Sequence, residues 1–431
     1  MEKGALRGIR VIDLTTILMG PMATRILADH GADVIRVETT RGDSTRNGLP
    51  SRHFGMSGFN LNLQRNKRSL SIDLKHEAGR QVILDLVATA DVFVTNMRAK
   101  ALERLGLDET SLNAVNPALI YCRANGFGSK GPYGNKAAYD DAIQAASGLA
   151  GLFSAPNGRP TYVPSVIADK VTGLYVVQAV MAALIHRYTT GDGQNIEVPM
   201  FETMVSFNLV EHLRGAAFEP PEGPFGYERL LSPARRPYAT VDGHICLLPY
   251  TDDNYREFFN FIERPDLAQD ERFSTHNARV AHTTELYDLI AEVAATKTSD
   301  VWIKFCDEAS IPAAKVLDLS EFANDPHLAE VELVQIAQHP TEGAYKYVRD
   351  PVTYSESATE LRRHAPRLGE HSAELLEELG YSAEQISGLV RAAWWPLARS
   401  DSRSPSGWVN QNLDRVDTTF CQVIDGGTEC I

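Results

Sequence analysis

Asp169 is the first residue in this chain whose setting suggests chemistry. It stands between the run Val163 to Ala168 and a long apolar stretch, which puts its carboxylate in or next to the first turn of a helix. Two readings share that place. An Asp there can cap the helix and interact with its dipole. The same dipole keeps a carboxylate ionised, and an ionised, partly desolvated carboxylate can attack an activated acyl group to form a covalent intermediate. Tyr139, Asp140 and Asp141 follow a glycine-rich loop. The two acids there are either a proton-handling group or a solvated or capping pair opening a helix over Ala142 to Ala146. Asn96, Arg98, Lys100 and Arg104 follow a strand end, where open α/β sheets place their ligands. Lys100 and Arg104 share a helical face, and Arg makes bidentate contacts to phosphate.

Other motifs point away from familiar chemistries. Gly126-Phe127-Gly128-Ser129-Lys130-Gly131 fits GxGxxG after a strand, but its last Gly leads into Pro132-Tyr133-Gly134-Asn135, a loop and not the helix that a dinucleotide fingerprint needs. There is no GxSxG, GxxxxGK[ST] or HExxH. Cys122, Cys246, Cys306, Cys421 and Cys430 are scattered without a CxxC pair, which argues against a disulfide framework or a metal site.

The elements that must hold these residues alternate. Residues 8–14 read as a strand, the segment up to Gly31 as a helix, and Val34 to Val37 as a strand. The pattern recurs with Ser69 to Asp73, Glu77 to Ala88, Val92 to Thr95, Lys100 to Leu105 and Ala118 to Arg123. A helix follows from Ile167 to Arg187, then a strand from Asn195 to Val198 and a helix from Phe201. This is the pattern of an α/β fold with a parallel sheet covered by helices. A Pro- and Gly-rich linker at 214–236 separates a large unit, 1–213, from a smaller α+β unit, 237–327, which opens with a hairpin around Asp242-Gly243. Strands over Val331 to Ile336 and Tyr345 to Val348 and a helix around Leu375, Leu376 and Leu379 form a return, 328–392. Residues 393–431 carry Trp394, Trp395, Trp408 and a Ser/Arg-rich stretch, and read as an extension beyond the folded body of the chain.

With 431 residues the chain has ample length for a buried core. Its formal charge of −14 excludes a nucleic-acid sleeve or a binder of anionic membranes, so any anionic ligand needs a local basic pocket. The most apolar stretch, Gly173 to Ile185, falls short of a membrane span and reads as a core helix. The N-terminus has no signal-peptide pattern, and the expected location is the cytoplasm.

Taken together, the segments GIRVIDLTTILMGPMATRILADHGADVIRVETTRGDSTR, NLNLQRNKRSLSIDLK, ADVFVTNMR, Leu102 to Gly106, Asn125-Gly126-Phe127-Gly128 and GDGQNIEVPMFE resemble the family III CoA-transferases, over residues 6 to about 392. That family includes formyl-CoA transferase, the carnitine CoA-transferase and α-methylacyl-CoA racemase. The resemblance implies a Rossmann-like large domain built from both ends of the chain, a smaller middle domain and an interlocked homodimer. It also implies that Asp169 is the nucleophile, attacking an acyl-CoA to give an anhydride and then an aspartyl-CoA thioester, without a metal or a resident cofactor. The substrates are then an acyl-CoA and a small carboxylic acid, with backbone N–H groups as the expected oxyanion donors.

Family positions for CoA carry over onto Leu18, Met19, Ile72, Asp73, Leu74, Lys75, Asn96, Met97, Arg98, Arg104, Lys136, Ala137, Ala138 and Tyr139, with Arg41 reaching the adenine or its phosphate. Asp140 and Tyr139 occupy the accompanying catalytic positions, and Pro249, Tyr250 and Thr251 the substrate loop. Formyl-CoA transferases carry Gln where this chain has Leu18, and a glycine-rich loop where it has Leu248 to Thr251, which argues against formate or oxalate as substrate. The racemase branch has a His before the Asp matching Asp140; here it is Tyr139, whose ordinary pKa near 10 makes a poor base. CoA transfer is the preferred reading, with racemisation and a non-catalytic CoA-binding role as the alternatives.

Overall fold

The computed structural model describes residues 4–389. Six parallel strands lie in the order β3-β2-β1-β4-β5-β6. They are β1 (Arg10–Leu14), β2 (Asp33–Glu38), β3 (Lys67–Ser71), β4 (Val92–Thr95), β5 (Ile120–Asn125) and β6 (Gln194–Pro199). Val11 pairs with Val34 of β2 on one side and Val92 of β4 on the other. The inner strands are almost entirely buried, as expected for a parallel sheet covered on both faces. β3 begins at Lys67, two residues before the expected Ser69, because Lys67 and Arg68 pair with Val34 and Ile35 and bury their charges against partners.

Alternation along the strands divides the core. Val11, Val34, Val94 and Cys122 face the Met19–Asp29 helix and the long Ile167–Thr190 helix. Ile12, Ile35, Phe93 and Tyr121 face the other layer, with Val82, Leu86 and Leu112. The long helix starts at the expected Ile167 and runs three residues past the expected Arg187, to Thr190. Its 24 residues are long and apolar enough to cross a membrane by length and composition. Here Val171, Val176, Val177, Val180 and Ala183 are buried in the first of these cores.

A third core belongs to the middle of the chain. The antiparallel strands Tyr238–Ala239, His244–Leu247 and Ala313–Lys315 carry the helices Asp252–Phe261, Thr283–Ala294 and Ser299–Glu308. These close over Phe258, Phe259, Ile290 and the buried Trp302, whose indole N–H donates to the Ala294 carbonyl at 3.0 Å. The chain returns through a hairpin, Val334–His339 with Gly343–Val348. The first of these strands starts later than the expected Val331, because Val331 caps the Pro326–Glu330 helix and Glu332 turns with φ 50°. Beyond it, His371 N–H donates to Ser69 O along the free edge of β3, and Leu375, Leu376 and Ile386 enter the core of the second layer. An open sheet edge is covered in this way. The extension expected over 393–431 lies outside the described residues.

Candidate active site

In a parallel sheet of this strand order, the crevice opens at the carboxyl ends of the strands where the order reverses, between β1 and β4. The loop leaving β1 is fixed to β4 there. Asn96 Oδ1 accepts from the Thr16 N–H at 3.0 Å and Asn96 Nδ2 donates to the Thr16 carbonyl at 2.9 Å. The next residue, Ile17, has φ 68°. A β-branched side chain in that region costs about 1–3 kcal/mol, so surrounding contacts must hold it. Asp43 provides one, accepting the Ile17 N–H at 2.9 Å.

Asp43 belongs to a buried charge scaffold. Arg36 donates to Asp43 at 2.9 Å, Arg46 pairs with Glu38 at 2.6 Å, and Arg65 pairs with Asp29 at 2.7 Å. Burial alone would raise the Glu38 carboxyl, but Arg36 and Arg46 outweigh it and hold it at about 2. Deeper still, Lys67 Nζ lies 2.9 Å from Asp13, 2.9 Å from the Pro21 carbonyl, 2.8 Å from Thr24 and 2.9 Å from Gln64. Burial lowers this ammonium to about 8 against the pull of Asp13. These acids and bases, set in the chain's opening motif, therefore shape the loop that carries Leu18 and Met19.

Asp169 reaches the same edge from the other side. It is the third residue of the long helix, and one turn later a Cβ on Gly173 would lie 2.9 Å from the Met19 carbonyl, so the two helices cross in close contact. Asp169 does not cap its helix. Asp140 does so from another element, its Oδ1 accepting the Asp169 N–H at 2.9 Å. Its Oδ2 accepts from Gln144 Nε2 at 2.6 Å, while Gln144 Oε1 accepts the Val163 N–H at 2.9 Å. Both Asp140 oxygens are thus engaged, which fits it for positioning Asp169 better than for carrying protons. Gln144, fully buried, was not singled out from the sequence; its place four residues after Asp140 on a helix was the available signal. Tyr139 is 63% exposed and takes no part in this contact.

The Asp169 carboxylate itself makes no hydrogen bond among the described residues. Burial, and then the nearby charge of Asp140, push it up to about 7. The expectation of a fully ionised carboxylate at a helix head is corrected here: desolvation and a like charge outweigh the dipole.

The cations expected to meet CoA follow strand ends at this edge. Lys75 comes after β3, Arg98 and Arg104 after β4, Lys136 after β5, and Arg41 after β2. All are exposed, and among the described residues none is in an ion pair. Lys136 Nζ lies 3.8 Å from the centre of the Tyr133 ring. Leu18, Met19 and Ile72 are buried, and the Ile72 N–H donates to the Glu38 carbonyl at 2.8 Å. Asp73, exposed, accepts the Lys75 N–H at 2.9 Å, while Leu74 and Met97 are half-buried. Ala137 is exposed, and Ala138 packs so closely on Gly126 that a Cβ there would lie 2.3 Å from its own.

The GxGxxG loop is occupied by its own protein. Gly128 N–H donates to Glu202 at 3.0 Å and Ser129 N–H to Glu197 at 3.0 Å, so these amides are not free to cradle a pyrophosphate. Pro249, Tyr250 and Thr251 belong to the middle unit. Thr251 caps the Asp252–Phe261 helix in a capping box with Asn254, and Pro249 and Tyr250 line a cavity with Arg229, Tyr255 and Tyr287. The described contacts of this loop do not include Asp169. No cluster of three or more metal-ligating side chains occurs among the described residues.

A family model described as CoA-transferase family III matches residues 6–372. The chain is 34% identical over 388 residues to the succinate–glutarate CoA-transferase of Agrobacterium fabrum, covering 88% of this chain and 96% of that one. It is 31% identical over 400 residues to the formyl-CoA:oxalate CoA-transferase of Streptomyces avermitilis, covering 89% and 97%. The crystal structure of a CAIB/BAIF family protein from Brucella suis superposes with a TM-score of 0.75 at 32% identity, covering 88% of this chain and all of that one. The chain belongs to CoA-transferase family III and is an enzyme that transfers CoA between acids.

Proposed function

We propose that the transfer runs through covalent intermediates on Asp169. One observation carries this reading: a carboxylate without a hydrogen-bond partner among the described residues, held by its own N–H at the carboxyl edge of the sheet where exposed cations lack acidic partners.

An Asp169 oxygen attacks the thioester carbonyl of the donor, forming a C–O bond as the C–S bond breaks, which gives an acyl-aspartyl anhydride and CoA thiolate. The thiolate attacks the aspartyl carbonyl, releasing the donor acid as a carboxylate and leaving an aspartyl-CoA thioester. The acceptor carboxylate then runs both steps in reverse and restores Asp169. Each step exchanges one anionic nucleophile for one anionic leaving group, so no net proton transfer is needed.

The phosphates of CoA are met by Lys75, Arg98, Arg104 and Lys136, which supply the local positive field that the acidic total requires. The working unit is a homodimer. Exposed apolar side chains along the long helix and its successor, among them Ile185, Tyr188 and Val210, support a partner surface there.

The test is an exchange assay with isotopically labelled carboxylic acid. Asp169→Ala is expected to abolish incorporation of label into acyl-CoA, by about 10³-fold or more, while the chain stays folded. Transfer at near wild-type rate would exclude covalent catalysis by Asp169.

A further inference from the structure

We propose that Gln144 is a positioning residue for the nucleophile, holding at once the carboxylate that caps Asp169 and the segment that leads into its helix; this deepens the covalent transfer proposed above and rests on it. The long helix does not define its own start. Val166, the residue before it, makes no side-chain cap, and the Asp169 N–H is met by Asp140 from another element. A helix end without a cap of its own takes its place from whatever satisfies its first amides.

The chain entering the helix is equally dependent. Ser165 N–H donates to the Val163 carbonyl and Ile167 N–H to the Ser165 carbonyl, both at 2.7 Å. Val166 lies between the second pair at φ −70° and ψ 66°, an inverse γ-turn. Two such tight turns in succession, each closed by one hydrogen bond, do not fix the path of a chain by themselves.

Gln144 spans all of this from the helix Asp140–Ala146. Its Oε1 accepts the Val163 N–H at 2.9 Å, and its Nε2 donates to Asp140 Oδ2 at 2.6 Å. The Val163 and Ser165 carbonyls stand 3.5 and 3.3 Å from the same nitrogen. Three acceptors around the nitrogen and one donor at the oxygen set the orientation of the amide. The side chain is fully buried, and without it Asp140 Oδ2 and the Val163 N–H have no partner among the described residues.

The residue type matters as much as its place. A Lys here would neutralise Asp140, and an ionised Glu would face an acidic oxygen and two carbonyls. A neutral amide donates and accepts together, so it orients Asp140 without cancelling the charge that Asp140 sets beside Asp169.

Steady-state exchange with acyl-CoA varied separates kcat from KM. Gln144→Leu removes both hydrogen bonds from a side chain of similar length. It should lower kcat at least about tenfold by displacing Asp169, with KM for acyl-CoA within about twofold of wild type. Gln144→Glu supplies a readout that a merely structural role would not move. Its protonated form donates to Asp140 and accepts from Val163 as the amide does, whereas its ionised form has no proton to give. Two carboxyl groups in one site share a proton well above the ordinary carboxylate range. The quotient of variant to wild-type kcat removes the titration of Asp169 common to both. For Gln144→Glu it should rise at least about threefold from about pH 9 to about pH 6, and for Gln144→Leu it should stay level.

A kcat within about twofold of wild type in folded Gln144→Leu, a loss carried by KM alone, or a Gln144→Glu quotient that does not rise on acidification more than that of Gln144→Leu would overturn the assignment. If Gln144→Leu does not fold, Gln144→Glu decides. Trapping acylated Asp169 with hydroxylamine separates the two proposals. Label in the wild-type protein that forms as fast in Gln144→Glu at alkaline pH removes Gln144 alone, whereas no label in the wild-type protein removes the mechanism on which it rests.

Discussion

Only the ionised form of Asp169 attacks, so its titration sets the rate in the free enzyme. With burial and Asp140 pushing the carboxyl up to about 7, acylation of Asp169 should rise about tenfold per pH unit below 7 and level off above it. Asp140→Asn keeps an oxygen for the Asp169 N–H and removes the charge, so the midpoint of the pH profile should move down. An unmoved midpoint would show that Asp140 acts only as a tether. The same shift bears on stability. Between the ordinary aspartate value of 3.8 and about 7, the native state holds a proton that the unfolded chain has lost, so stability falls as pH rises through that window and the loss is complete above it. Asp169→Asn cannot ionise, and at pH 8 it should be more stable than wild type by on the order of 2 kcal/mol in chemical denaturation, while being inactive. Lower stability at pH 8 would contradict the assigned shift. The place of Asp169 at a helix head was legible in local sequence. Its titration was not, because it depends on burial in the folded chain and on Asp140, 29 positions away.

The crossing of two helices carries the site at the next scale. A side chain at Gly173 has no room beside the Met19 carbonyl, so Gly173→Val must part the Met19–Asp29 helix from the long helix that carries Asp169. We expect a loss of about 1–3 kcal/mol and a larger proportional fall in exchange rate than in folded fraction, measured by thermal unfolding beside the exchange assay. Unchanged exchange would mean that the crossing does not set the position of Asp169. Alternating strands and helices were readable because β1, β2, β4 and β5 carry short apolar runs between turn signals. The helices Gly58–Leu63 and Glu109–Val115 were missed, being too short to show a period against polar surroundings. Lys67, Arg68 and Glu38 hid strand ends for a related reason. Charges seldom enter a sheet, and here each finds a partner: Lys67 and Arg68 from distant segments, Glu38 from nearby Arg36 and Arg46.

Across the whole molecule, a net charge of −14 coexists with a sheet edge whose exposed lysines and arginines have no ion pair among the described residues, and that asymmetry is the clearest link between composition and an anionic substrate. The parallel sheet could be inferred from the alternation of elements, and the cationic positions from the family resemblance; the strand order could not. The buried ion-pair scaffold behind the opening motif could not, since adjacency between residues 13 and 67, or 29 and 65, appears only when the chain has folded. The central claim is that this edge delivers an acyl-CoA to Asp169 for covalent transfer. The most direct test is to mix the protein with a panel of acyl-CoAs, quench with hydroxylamine and read the peptides by mass spectrometry. A hydroxamate confined to the peptide bearing Asp169 is the predicted result, and the donor that produces it identifies the acyl group. No modified peptide with any donor, in a protein that measurably binds CoA, would contradict the mechanism.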